Sequence, residues 1–233
     1  MPPTVIQTKD FNITLVRHPR RVRATLKVSV KGVFLYIPTQ LPMHIVHDLI
    51  SEKSDWISQQ LAKQPQPAPT RQWQQDEMLY LFGQAFTLQL TQKGDAPSVR
   101  LTDSDIILSG RLHRIGLKTR RQTVINWYKD QATIYLNKRT AELSEQTGLT
   151  PTSITVKTYK ARWGSCNIKG NIQYNWQIIQ ALPSVIDYLI IHELCHLAHH
   201  NHSRAFWQLV GQYHPHYQQD QAWLKQYGAM LQL

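Results

Sequence analysis

Three histidines and one glutamate carry the chemistry that this chain can do. His192-Glu193-Leu194-Cys195-His196 is an H-E-x-x-H pattern, and His202 follows six residues later. Two histidines four apart fall on one face of a helix, about one turn from each other. Both imidazoles can then grip a single metal ion. Glu193, next to the first ligand, can reach a water on the metal without binding the metal itself. That arrangement is built for metal-assisted hydrolysis: the ion acidifies the water, and the carboxylate takes the proton and passes it to the leaving group.

The third ligand must reach a tetrahedral ion from a new direction. His199 lies on much the same helix face as His192 and His196, so it is poorly placed. His202 comes after a bend, where Asn201 tolerates left-handed backbone. Three protein nitrogens and one open position describe a catalytic zinc site rather than a closed structural one. Zn2+ is therefore the expected cofactor, with other divalent metals open to the same donors. His200 suits a helix end, where a cation is favourable. His214 and His216 read as surface residues.

An oxyanion needs a donor. Arg162 is the candidate, in the loop Lys160-Ala161-Arg162-Trp163-Gly164-Ser165-Cys166; the alternative is a surface cation packed on an indole. Cys166 is open between a fourth ligand, a reactive thiol and a buried filler, with filler the default. Cys195 faces away from His192 and reads as core.

The elements that must position these groups follow from periodicity. The motif helix starts at Pro183-Ser184, with Ser184 and Asp187 spaced as a capping box. Val185, Ile186, Leu189, Ile190, Leu194 and Leu197 give it a buried face. Strands are expected at Ser153 to Thr158 and Gly170 to Tyr174, and a long helix over Thr119 to Gln146, stopped by Gly148 and Pro151. A short helix spans Ser203 to Tyr213 and a last one Tyr217 to Met230. Farther upstream, alternating apolar residues over 12–38 predict a small antiparallel sheet turning near Lys31-Gly32. A helical stretch opened by Pro42 follows, then the proline-spaced connector Gln64 to Thr70. A second sheet region covers about 77–109, and Gly110 to Leu117 is a further candidate strand. No internal repeat is visible. The expected division is a β-rich region, 1–117, including one helix (about 42–63) and the connector (64–70), and a metal-binding catalytic domain, 118–233.

The chain has 233 residues and a net charge of +11. Such a balance favours polyanionic partners. The basic clusters, Arg17 to Lys31 and Lys118, Arg120 and Arg121, do not interleave with aromatics along the sequence as a single-strand groove would. No apolar run is long enough to cross a bilayer. The N-terminus lacks the pattern of a signal peptide. Two cysteines are too few for a disulfide framework, so a reducing, cytoplasmic setting is expected.

Taken together, Arg162-Trp163-Gly164-Ser165-Cys166, Gly170-Asn171-Ile172, Asn175-Trp176, Ile186-Asp187-Tyr188, the H-E-x-x-H run, Asn201-His202-Ser203 and Phe206-Trp207 resemble the YgjP-like metal-dependent hydrolases. These are described as predicted zinc metallopeptidases related to the SprT-like proteases. The resemblance implies an α+β fold with a zincin-like core, His192, His196 and His202 as zinc ligands, and Glu193 as general base. It leaves the substrate open. A polypeptide is the first expectation and a nucleotide phosphoanhydride the second. A nucleic-acid-binding module with a non-catalytic metal is the third.

Overall fold

The computed structural model describes residues 4–29, 32–62 and 71–233. Val30, Lys31 and the expected connector at 64–70 lie outside the described residues. The chain divides into two compact units, Met1–Pro67 and Ala68–Leu233.

In the first unit, strands β1 (Thr4–Gln7), β2 (Asn12–His18), β3 (Thr25–Ser29) and β4 (Gly32–Pro38) form one sheet in the order β1-β2-β4-β3. Strict alternation sends Ile13, Leu15, Val33, Leu35 and Ile37 to one face, where all are buried. Helices α1 (Met43–Glu52) and α2 (Ser54–Ala62) supply Val46, Ile50 and Ile57 to the same core. The expected single helical stretch is thus two, parted at Lys53, whose φ of −98° and ψ of 4° depart from the helix. The sheet is also not purely antiparallel. The β3–β4 hairpin inserts β4 against β2, and those two strands run parallel.

The second unit opens with the same plan. Strands β5 (Glu77–Leu81), β6 (Gln84–Thr91), β7 (Ser98–Leu101) and β8 (Asp105–Ser109) pair in the order β5-β6-β8-β7, again with a parallel central pair. The strand pattern is therefore repeated, although the residues show no repeat. After β8 the chain forms a 3-10 turn over Leu112–Arg114 instead of the expected strand. Gly110, at φ 140°, turns the backbone so that the Leu112 amide donates back to it and the Leu112 side chain is buried.

Helix α3 (Leu117–Thr147) aligns Val124, Tyr128, Ala132, Leu136 and Leu143 in one buried stripe. It ends at Gly148, in left-handed backbone (φ 71°), whose N–H caps the Ser144 carbonyl. The β5–β8 sheet belongs with this helix and not with the first unit. Leu79, Leu88, Ile106 and Leu108 share a core with Val124, Tyr128 and Leu136, and the Tyr128 hydroxyl donates to the Tyr80 carbonyl at 2.7 Å. Each such buried aliphatic side chain contributes about 1.5–3 kcal/mol. That shared core places β5–β8 with α3 in the second compact unit, Ala68–Leu233.

A third sheet, β10-β11-β9, comprises β9 (Ser153–Lys157), β10 (Gly164–Cys166) and β11 (Asn171–Asn175). Part of the expected 160–166 loop is thus an edge strand. Helices α4 (Pro183–Cys195), α5 (Arg204–Tyr213) and α6 (Tyr217–Tyr227) complete the unit. Among the described residues no helix is long and apolar enough to cross a membrane.

Candidate metal centre

Helix α4 carries the site and is buried almost all round: Val185, Ile186, Tyr188, Leu189, Ile190, Ile191, Leu194 and Cys195 are all core. Pro183 takes the first helical position, where its missing N–H costs nothing. The expected capping box does not form, because the helix starts before it: Leu182 is the N-cap, so Ser184 already lies in the first turn, and both side chains bond elsewhere. The Ser184 hydroxyl donates to Asp220 Oδ1 at 3.0 Å. Asp187 receives a two-pronged bond from Arg139 on α3, at 2.7 and 2.8 Å. These contacts fix the helix against α3 and α6.

The helix ends at Cys195, with His196 as its cap. The chain then bends, and Ser203 caps α5 through its side chain. This path returns His202 to the helix. Ligand nitrogens of His192, His196 and His202 lie within 4.8 Å of one another. The Nε2 atoms of His192 and His202 are 3.1 Å apart. Two Zn–N bonds of about 2.0–2.1 Å at a tetrahedral angle separate their nitrogens by roughly 3.3 Å, so the spacing suits a shared ion. His196 Nδ1 faces the His199 carbonyl at 3.0 Å, which turns its Nε2 to the centre. The rings are held by aromatics: Phe206 stacks on His196 at 4.6 Å and Trp207 on His202 at 5.6 Å between centroids.

Electrostatics favour the same occupant. Burial, reinforced by the neighbouring imidazoles, pushes His192 down to about 3, and burial lowers His196 as well. Neutral rings leave their lone pairs free for a cation. His192 Nδ1 and Glu193 Oε2 are buried without a hydrogen-bond partner among the described residues. The three-nitrogen donor set fits a divalent ion, and the unpartnered Glu193 oxygen is free to bond a water beside it.

Glu193 is only 4 % exposed. Burial raises its carboxyl to about 8, against the opposing charge of Arg162. A methyl group at Gly164 would stand 2.4 Å from Glu193 Oε1 and 2.8 Å from Cγ and Cδ. Only a residue without Cβ lets strand β10 pass this carboxylate, a requirement that sequence reading missed. Arg162 is exposed, and its guanidinium lies over the Tyr159 ring, 5.3 Å from the centroid. Trp163, the neighbour read as its packing partner, instead lies against Gly228.

Cys166 stands outside the three-nitrogen group. Burial, then the charge of Glu193, raises its thiol to about 11, so it remains protonated. Cys195 is core, as expected. His214 is not a surface residue: its Nε2 pairs with Asp220 Oδ2 at 2.6 Å, with only 15 % of its side chain exposed.

This centre falls inside a stretch, residues 22–227, that matches the YgjP-like metallopeptidase domain. The chain belongs to the YgjP-like family. Membership places this YgjP-like protein among metallopeptidase-like, metal-dependent hydrolases. A solved structure, the metallopeptidase zymogen of Pyrococcus abyssi abylysin, is similar at 21% identity over 33% of this chain and 77% of that one, with a TM-score of 0.31. No curated protein matches the chain.

Proposed function

We propose that this protein is a zinc-dependent metallopeptidase with a zincin-like core, working in a reducing, cytoplasmic setting. The observation that carries the reading is the meeting of three imidazoles with a buried, unpartnered carboxylate. His192, His196 and His202 would hold the ion. When bound, zinc supplies Lewis acidity, which acidifies water and polarises a carbonyl.

The protein's own groups do the rest. Glu193 takes a proton from the attacking water and returns it to the leaving amine. Burial raises its carboxyl in the metal-free protein, and a bound cation would draw it back toward the carboxylate form that accepts the proton of the water. Gly164 leaves the space that this carboxylate needs. Phe206 and Trp207 lock two imidazoles in orientation. Arg162 is the donor for the developing oxyanion. Strand β10 lies at a sheet edge directly beside Glu193, and an edge strand offers backbone groups to an extended polypeptide. Both thiols are free, in keeping with the proposed compartment.

A second reading, hydrolysis of a nucleotide phosphoanhydride, is favoured by one feature. Lys160, Arg162 and Lys225 line a cavity of about 280 Å³ with no acidic residue in its wall. Zinc-loaded protein offered unfolded polypeptides and nucleotides side by side separates the two. Peptide cleavage that disappears in Glu193→Gln with metal retained supports the peptidase. Phosphate or pyrophosphate release without peptide cleavage overturns it in favour of the second reading.

A further inference from the structure

The three clustered histidines and Glu193 all belong to the second unit, and the sheet of the first unit has two unlike faces. One face is the buried core beneath α1 and α2. On the other, β4 presents Phe34 and Tyr36, which alternate with the buried Val33, Leu35 and Ile37. Their rings are roughly parallel, 6.3 Å between centroids and 22° apart, and both remain partly exposed.

Along the sequence no aromatic interrupts the basic run Arg17 to Arg23. Strand pairing changes that. Lys27 on β3 lies opposite Phe34, and Thr25 lies opposite Tyr36. Arg21 reaches back over the Tyr36 ring, 4.9 Å from its centroid, and donates to Thr25 Oγ1 at 2.8 Å. Cations and aromatics are thus interleaved across the sheet. None of the four strands contains an acidic residue; Asp10 lies in the β1–β2 turn, and Asp48, Glu52 and Asp55 sit on the helices. In the other basic cluster two of the three cations bond within the protein: Arg120 donates to the Leu112 carbonyl and Arg121 to that of Leu233.

We propose that the open face of the β1–β4 sheet binds single-stranded nucleic acid, with Phe34 and Tyr36 stacking on bases and Lys27 and Arg21 contacting phosphates. Exposed rings take any base because every base has a π-face, and nearby cations track the backbone. An acidic polypeptide would satisfy the cations but would leave the two rings without partners of their own kind. The proposed surface uses no residue of the metal centre, and it can serve to hold the protein on a polyanionic scaffold.

The test is fluorescence anisotropy of the full-length protein with a labelled, unstructured single-stranded oligonucleotide of about 12 nucleotides, at several salt concentrations. Binding should weaken linearly in log–log form as salt rises. Phe34→Leu should lower affinity about 10-fold with the salt slope unchanged, and Phe34→Tyr should retain it. Lys27→Glu should reduce the slope by about 1. Glu193→Gln should bind as the wild type does. Absence of binding, or equal binding by all the sheet variants, overturns the proposal. So does polyglutamate that competes equally with the oligonucleotide and is indifferent to Phe34→Leu, since the face would then be a site for acidic polypeptide.

Discussion

Replacing Gly164 by alanine puts a methyl group into space that the Glu193 side chain occupies. The new carbon would sit 2.4 Å from Oε1 and 2.8 Å from Cδ and Cγ, whereas ordinary contacts begin near 3.4 Å. The carboxylate must therefore retreat by roughly 1 Å, because β10 is held in register by β11. A displacement of that size from reacting atoms costs on the order of 100-fold in rate, and complete loss of a general base costs about 100- to 10,000-fold. Gly164→Ala should thus lower kcat at least about 100-fold, with KM little changed. The three imidazoles are untouched, so zinc content by atomic absorption should equal that of the wild type. The decisive measurement is the double variant. With Glu193→Gln already present, adding Gly164→Ala should cause almost no further loss, since both changes act through one carboxylate. Wild-type turnover by fully metallated Gly164→Ala would refute the reasoning. An equal further loss in the Glu193→Gln background would refute it too.

His202→Ala removes one of the three nitrogens, and its metal affinity should fall by more than the about 10–100-fold that loss of an outer-shell partner costs; retention of a full equivalent of zinc through dialysis against chelator would remove His202 from the site. In the metal-free protein the difference in stability between wild type and Glu193→Gln should depend on pH through Glu193, whose carboxyl rises from 4.5 to about 8 on folding. The folded state holds that proton more tightly, so the stabilisation is complete below pH 4.5 and is lost as pH rises through about 8. Urea unfolding should then show wild type losing on the order of 4–5 kcal/mol relative to Glu193→Gln across this window; parallel profiles would mean a solvated carboxylate. Arg139→Leu breaks the two-pronged bond to Asp187 and should destabilise the fold by about 1–3 kcal/mol, with activity per folded molecule unchanged; an unchanged urea midpoint would show that this pair contributes nothing.

Local spacing is what a sequence displays best. The i, i+4 histidines, the adjacent glutamate and the third histidine beyond the bend, which the fold brings together, could be picked out by spacing, as could the stripe of α3 and its glycine stop. Contacts between distant residues were not. Gly164 meets Glu193 only because a sheet edge crosses a helix. Ser184 and Asp187 carry a capping pattern, but the helix starts at Pro183 with Leu182 as its N-cap, and the two side chains bond instead to Asp220 and Arg139. Strand alternation located β2, β3 and β4 and was silent on their order, so the parallel pairing stayed hidden. Likewise, Lys27 and Phe34 become neighbours only through register. The boundary at 67/68 depends on which helix covers β5–β8, which alternation along those strands does not encode.

The strand order of the two similar sheets dictates a sequence of assembly. Each sheet consists of two hairpins whose only junction is the central parallel pair, β2 with β4 and β6 with β8. Hairpins close locally and fast, whereas the junction needs both to be present. On a growing chain, β2 consequently has an open inner edge until Pro38 has been made, and β6 until Ser109. Each half-sheet is a waiting template during synthesis, and the second hairpin is the part that closes it.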